Sequence, residues 1–295
     1  MKRFLISLIF MLFCSNAVLS QEGLKVFISA DIEGITSVVN HEQSSERGRD
    51  YNYFRRIMTA EVNSAIEGAL EAGATDILVA DSHGLDGINL IVDDLNPAAR
   101  LIRSWPRPLM MMEGIDETFD AVILIGYHAG EQIPGAVLAH TMHGGKIFDL
   151  KLNGKSVNEA VFSAATAGHF NVPVVLISGD DAVMEQTKEF IPDFEQAIVK
   201  RAIGFYSANN LHPQKAKDLI KNKTVRALKN LKKFKPFKLE YPVKMEITFK
   251  SKLYAEIFSL LPVIKRTDSH TIEYRAEDMV EISKFISFLF QLNPN

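Results

Sequence analysis

"LKVFISADIEG", residues 24–34, decides the fold. It reads as a strand that stops on Asp31, Glu33 and a glycine. In a strand, residues i and i+2 share a face, so Asp31 and Glu33 project together while Ile32 points away. Two carboxylates crowded into one partly buried volume repel, so one takes up a proton or both meet a cation. No lysine or arginine lies between Lys25 and Arg47, which makes a metal ion a candidate. Acidic residues also end strands as solvated turn residues or helix N-caps, and the pair alone leaves that alternative open.

Outward from this strand, apolar β-branched runs alternate with helical periodicity. "YFRRIMTAEVNSAIEGALEAG" (53–73) predicts an amphipathic helix closed by Gly73, and "TDILVADSHG" (75–84) a second strand. "GINLIVDDLNPAARLIRSW" (87–105) reads as a helix and a strand, "FDAVILIGYHAG" (119–130) as a buried strand, and "VNEAVFSAATAGHF" (157–170) as a helix leading to the strand "VPVVLISGDD" (172–181). Such alternation predicts an α/β fold with a mainly parallel sheet and flanking helices. From about Glu189 the character changes. A lysine-rich helix within 210–240, strands at "VKMEITF" and "HTIEYRA", and a closing helix at "DMVEISKFISFLFQL" predict a smaller C-terminal α+β subdomain. The expected organisation is a leader at 1–20, a catalytic core at 21–188 and the subdomain at 189–295. The lysines recur at helical spacing with Leu219, Val225, Leu228 and Leu231, as on a solvated helix face rather than a membrane or RNA patch.

The chain has 295 residues, 47% hydrophobic and 23% charged, which is ample for a large core. Lys2 and Arg3, the apolar run "FLISLIFMLF" and the small residues before Gln21 form the pattern of a secretory signal peptide cut after Ser20. That pattern predicts an exported protein, periplasmic or secreted, with no stable membrane insertion after cleavage. Cys14 is the only cysteine and lies within the leader, so neither disulfides nor thiolate catalysis enter. Of 33 basic and 36 acidic residues, loss of Lys2 and Arg3 leaves 31 against 36, a net charge of −5 that argues against a nucleic-acid partner.

Three predicted strands end in related chemistry: Asp31 and Glu33 on the first, His83 on the second, His128 on the third. In a parallel sheet the carboxyl ends share one edge, where α/β proteins place their sites. Imidazole and carboxylate without sulfur suit Zn²⁺, and also Mn²⁺ or Co²⁺. A metal pair roughly 3.5–4 Å apart needs a bridging carboxylate, for which Asp31 is suited.

"SADIEG" (29–34), "DSHG" (81–84), "GYHAG" (126–130), "HTM" (140–142) after "IPGAVLA", and "LNGKSVNEA" (152–160) together resemble the D-aminopeptidase family of the DppA type, binuclear zinc peptidases. The resemblance implies two Zn²⁺ per chain, bridged by Asp31, with Glu33 and His83 completing one site and His128 and Glu159 the other. It implies that His140 is the catalytic residue and that the partner is a short peptide with an N-terminal D-residue, of the D-Ala-D-Ala type. It also implies a homo-oligomer, a ring-shaped decamer. Three carboxylates against two divalent ions leave a net +1, which favours an ionised water near neutral pH. An imidazole beside such a centre can orient water, stabilise the oxyanion or protonate the leaving amine. His143 is read as no ligand, and Asp180 and Asp181 either support the ligands or cap the helix that follows. Two rival functions stand beside this one. A dinuclear phosphoesterase would start on Asp-x-His where the first pair here is Asp31-x-Glu33, and a non-catalytic metal- or solute-binding protein would have no use for His140.

Overall fold

A computed structural model describes residues 23–84 and 86–291, so the leader read at 1–20 lies outside the described residues. The strands are β1 Leu24–Ala30, β2 Ala74–Asp81, β3 Ala99–Ile102, β4 Ala121–Tyr127, β5 Ile147–Leu152, β6 Lys155–Ser156, β7 Val174–Asp180, β8 Glu195–Gly204, β9 Ser207–Asn210, β10 Val243–Phe249, β11 Lys265–Arg266 and β12 Thr271–Ala276. The helices are α1 His41–Ser44, α2 Tyr51–Glu71, α3 Glu159–His169, α4 Asp181–Lys188, α5 Pro213–Leu228, α6 Lys252–Phe258 and α7 Met279–Gln291.

The first sheet has seven strands in the order β3-β2-β1-β4-β7-β8-β9, parallel except for the β8/β9 pair. The α/β fold expected from the strand and helix alternation is therefore present, together with the smaller α+β region. Strands β4 and β7 are buried along their whole length, as their valine, isoleucine and leucine content requires. From β1 the chain runs outward through β2 to β3, then returns to β1's other side as β4. That reversal opens a crevice at the carboxyl ends of β1 and β4, the topological switch point where open α/β sheets bind ligands.

Helix α2 buries Phe54, Ile57, Met58, Val62, Ala65, Ile66 and Ala69, the three-and-four spacing of one apolar face. Ala216, Ile220, Ala227 and Leu228 of α5 belong to the same core. The lysines of α5 occupy its outer side, where Lys221 pairs with Glu67 and Glu71, and Lys223 with Glu195. No helix among the described residues is long and apolar enough to cross a membrane.

The second sheet, β11-β12-β10-β5-β6, is antiparallel and shares its core with α3, α6 and α7. Helix α3 is buried nearly all round: Ala160, Ala164 and Ala167 join the core under the first sheet, Val161, Phe162 and Ala165 that of the second. A helix apolar on every side belongs between two layers. Its first residue, Glu159, thereby lies between them.

The stretch 87–105 differs from expectation. Strand β3 forms, but the helix is reduced to a three-residue 3-10 turn at Val92–Asp94. Pro97 and the flanking Asp and Asn residues favour turns over continued helix.

Candidate metal centre

Six side chains converge at the switch point: Asp31 and Glu33 beyond β1, His83 beyond β2, His128 beyond β4, His140 from the loop before β5, and Glu159 opening α3. All six expected site residues are thus brought together.

The segment carrying Asp31 and Glu33 runs backbone to backbone against β4: Asp31 N donates to Ile125 O at 2.8 Å and Gly34 N to Gly126 O at 2.7 Å. A Cβ on Gly34 would stand 2.1 Å from Tyr127 O, and one on Gly126, at φ +77°, 2.1 Å from Asp31 O. Only glycine permits that approach, which brings His128 beside Asp31. On the other flank, the amine of Lys200 on β8 is buried and donates to the carbonyls of Glu33, Ile35 and Val38. Burial pushes that amine down to about 8, against the pull of Asp180 and Glu61.

His83 is held through Asp81, whose carboxylate accepts from Asn89 Nδ2 and Leu90 N, both at 2.7 Å, while Asn89 Nδ2 also donates to His83 O at 2.8 Å. His140 N donates to Ala129 O at 3.1 Å, folding the intervening loop back so that the rings of His128 and His140 stack at 4.2 Å and 19°. Asn158 caps α3 by accepting from Val161 N at 2.8 Å, and Glu159 Oε1 accepts from Met142 N at 2.6 Å. Asp180 caps α4 through Val183 N at 2.8 Å and also accepts from Val137 N at 3.4 Å, so it secures the loop leading to His140.

The side chains form two groups, Asp31 with Glu33 and His83, and His128 with His140 and Glu159, each with ligand atoms within 4.8 Å of one another. Asp31 faces both. Its Oδ1 is 3.2 Å from His83 Nδ1, and its Oδ2 is 3.5 Å from His128 Nε2. Glu33 Oε2 lies 2.8 Å from His83 Nδ1, Glu159 Oε2 3.6 Å from His128 Nε2, and Glu159 Oε1 3.8 Å from His140 Nε2.

Each imidazole has one nitrogen on a backbone carbonyl: His83 Nε2 on Ser44 O at 2.8 Å, His128 Nδ1 on Ala129 O at 3.0 Å, His140 Nδ1 on Leu138 O at 2.8 Å. A carbonyl only accepts, so those nitrogens carry the proton, and in the neutral ring the other nitrogen turns a lone pair on the carboxylates. Lone pair against carboxylate is repulsive unless a proton or a cation stands between them. Buried His128 Nε2 indeed has no hydrogen-bond partner among the described residues. A donor set of imidazole nitrogens backed by carbonyls, facing carboxylates, fits a divalent metal such as zinc.

Without metal, protons carry the compensation. Burial opposes the charge of His83, yet Glu33 and Asp31 hold it well above its ordinary 6.5; burial likewise opposes His128, which Glu159 and Asp31 push up to about 10. Burial resists ionisation of Asp31, but His128 and His83 hold its carboxyl well below the usual range. Burial pushes Glu159 up to about 8, helped by Asp31 and Glu33 against His128. Burial and the neighbouring His128 push His140 down to about 4.

A cavity of about 260 Å³ opens onto the centre, with Asp31, His83, His140 and Glu159 in its lining. His140 reaches it with 18% of its side-chain surface, whereas His128 retains 1%. His143 lines the cavity but joins neither group. Lys200 and Asp81 were missed by sequence reasoning. The available traces were a lysine in the inward half of β8 and an acid at the last position of β2.

A parallel sheet presenting two carboxylate and imidazole groups around one shared aspartate is the framework of a metal-dependent hydrolase. The chain belongs to the D-aminopeptidase family, Peptidase_M55, whose profile matches residues 24–288. It is 36% identical over 259 residues to a D-aminopeptidase of Bacillus subtilis strain 168, an alignment covering 88% of this chain and 93% of that protein. Among solved structures it resembles the Zn-dependent D-aminopeptidase DppA of Bacillus subtilis, with a TM-score of 0.87, 34% identity, and coverage of 91% of this chain and 97% of that one. With that kinship and these groups, the chain is an enzyme, a metallo-aminopeptidase.

One expectation is corrected. The exported location, periplasmic or secreted, is contradicted by the description of the solved relative as a self-compartmentalizing protease.

Proposed function

We propose that this enzyme binds two zinc ions and releases the N-terminal residue of short peptides bearing D-amino acids, D-Ala-D-Ala being the type substrate. The observation that carries the proposal is Asp31, whose two oxygens face one group each, as a bridging carboxylate must. Glu33 and His83 would complete one site, His128 and Glu159 the other. When bound, the zinc pair supplies Lewis acidity that polarises a peptide carbonyl and acidifies water.

The chain's own residues supply the proton traffic. His140 donates Nδ1–H to Leu138 O, so its neutral ring offers the Nε2 lone pair toward the centre. Burial and His128 keep that ring neutral, and it is the most exposed of the three imidazoles in the two groups. His140 therefore takes a proton from attacking water at Nε2 and delivers it to the leaving amine. The bond to Leu138 O and the stack on the His128 ring set the direction in which Nε2 points. A homo-oligomer, a decamer as the family resemblance suggests, belongs to the same proposal.

The test is zinc per chain and D-alanine release from D-Ala-D-Ala, on wild type and Asp31→Asn. About two zinc ions with turnover, both lost in the variant, is the expected outcome. One zinc or none, with activity indifferent to Asp31, would overturn it. The solution mass checks the assembly, and a monomer would remove that part.

A further inference from the structure

Three cavities are lined in part by residues of the centre, and they differ in charge. The cavity of about 260 Å³ described above has no lysine or arginine among its described lining residues. A second, of about 580 Å³, shares Glu33 and His83; its one such cation, Arg47, is 91% exposed and shares the lining with Glu46 and Asp86. The third, of about 390 Å³, shares Glu33 and His140, and Lys250 is the one lysine or arginine among its described lining residues. A short peptide is a zwitterion. Its scissile carbonyl belongs at the centre, and its C-terminal carboxylate needs a cation of its own once it leaves water. We propose that Lys250 is a specificity-determining residue that binds the substrate's C-terminal carboxylate, so that the enzyme takes short peptides ending in a free acid in preference to their amides. This deepens the aminopeptidase reading above and rests on it.

Three observations carry the assignment. First, the scale fits. If round, a cavity of that volume is about 9 Å across, and one extended residue of at most about 3.6 Å with a hydrogen bond of about 2.8 Å at each end spans roughly the same. A dipeptide with its carbonyl beside His140 can therefore set its carboxylate against Lys250 within this one cavity. Second, the lysine is held in place with donors to spare. It directly follows β10, its backbone N donates to Lys146 O at 2.8 Å, and its Nζ lies 2.8 Å from Glu131 Oε1, with Glu131 in the same lining. An ammonium has three donors, so the bond to Glu131 fixes Nζ and leaves others for a substrate. Third, the lysine's charge is felt inside the cavity. Burial and then Lys146 push His143, which lines it, below its ordinary 6.5, and Lys250 pushes the same way.

The experiment compares D-Ala-D-Ala with D-Ala-D-Ala amide as substrates of zinc-loaded wild type, Lys250→Gln and Lys250→Arg, with kcat and KM measured separately. Wild type should use the acid at least about tenfold better by kcat/KM, the usual worth of a charge-assisted hydrogen bond. Lys250→Gln should cut that acid-to-amide ratio by at least about tenfold, with the loss in KM rather than in kcat. Lys250→Arg keeps the cation and should bring the ratio back to within about threefold of wild type. A lysine that merely held the fold together would lower the use of both substrates and leave their ratio unmoved. An unmoved ratio in Lys250→Gln, or a wild type that uses the amide as well as the acid, overturns the assignment and leaves the aminopeptidase reading in place. Release of D-alanine from neither substrate by the wild type would sink that reading, and the role of Lys250 with it.

Discussion

Glu61 is a fully buried carboxyl on α2 that touches no proposed ligand, and replacing it with glutamine should stabilise the protein in a pH-dependent way. Its Oε1 accepts from Thr36 N at 3.0 Å, and its Oε2 has no partner. Burial raises the carboxyl from 4.5 to about 8, against Thr36 N–H and Lys200. Between those two values the folded chain keeps a proton that the unfolded chain has released. Stability contributed by this group is therefore full below pH 4.5 and is lost as pH rises toward 8. At about 1.4 kcal/mol per pH unit, the loss reaches roughly 3 kcal/mol at pH 7, and local relaxation reduces it to about 2. Glutamine keeps the acceptor for Thr36 N and never ionises. Urea unfolding of metal-free Glu61→Gln and wild type should show a gain below about 1 kcal/mol at pH 5 and about 2–3 kcal/mol at pH 8. Metal-free protein is required because a ligand bound only to the folded state would add its own stabilisation. A gain independent of pH, or a loss at every pH, would refute the reasoning and mean that Glu61 is ionised in the folded chain with Lys200 as its counter-ion.

Lys200→Met should cost at least about 3 kcal/mol in the same assay, since it strips the donor from buried carbonyls at Glu33, Ile35 and Val38 at roughly 1–3 kcal/mol each. Because Glu33 sits on that loop, zinc retention measured by elemental analysis after dialysis should fall as well. His140→Ala should lower kcat on D-Ala-D-Ala by about 10²–10⁴, the usual contribution of a positioned proton carrier, and an unchanged kcat would remove His140 from the reaction. Gly34→Ala should fail to fold or lose several kcal/mol, because its Cβ would stand 2.1 Å from Tyr127 O; a thermal midpoint within about 2 °C of wild type would show that the β1 and β4 loops can separate.

What was legible in the sequence was what local periodicity carries. Asp31 and Glu33 could be paired because strand geometry repeats every two residues, and His83 and His128 joined them because each follows a strand of unmistakable apolar content. Glu159 carried no such sign, since a glutamate opening a helix is ordinary. Only resemblance of its surrounding motif singled it out, and the physical reason for its position is that α3 lies between two cores. The hairpin β5/β6 turns on Asn153 and Gly154, both at positive φ, an Asn-Gly turn that the sequence reading did not draw. Strands β8 and β9 were less legible: β9 is only Ser207–Asn210, short and polar, and takes its strand form from pairing with β8. The export reading came from the first 20 residues alone and is contradicted by the description of the solved relative.

The second sheet belongs to the site as much as the first. The first sheet brings Asp31, Glu33, His83 and His128 to one edge, which completes one ligand group and leaves the second short of its carboxylate. That carboxylate arrives on α3, whose opposite face fills the core of the antiparallel sheet, and Ser287 and Phe290 of α7 line the cavity. Placing Glu159 at a helix N-terminus has an electrostatic consequence: the orphan N–H groups there favour an anion, while burial raises the same carboxyl to about 8. The two effects leave a group that is ionised most readily when a cation stands beside it. A centre divided in this way assembles only when both sheets are packed on α3, so the affinity of the second ligand group is tied to the packing of the whole chain rather than to the switch point alone.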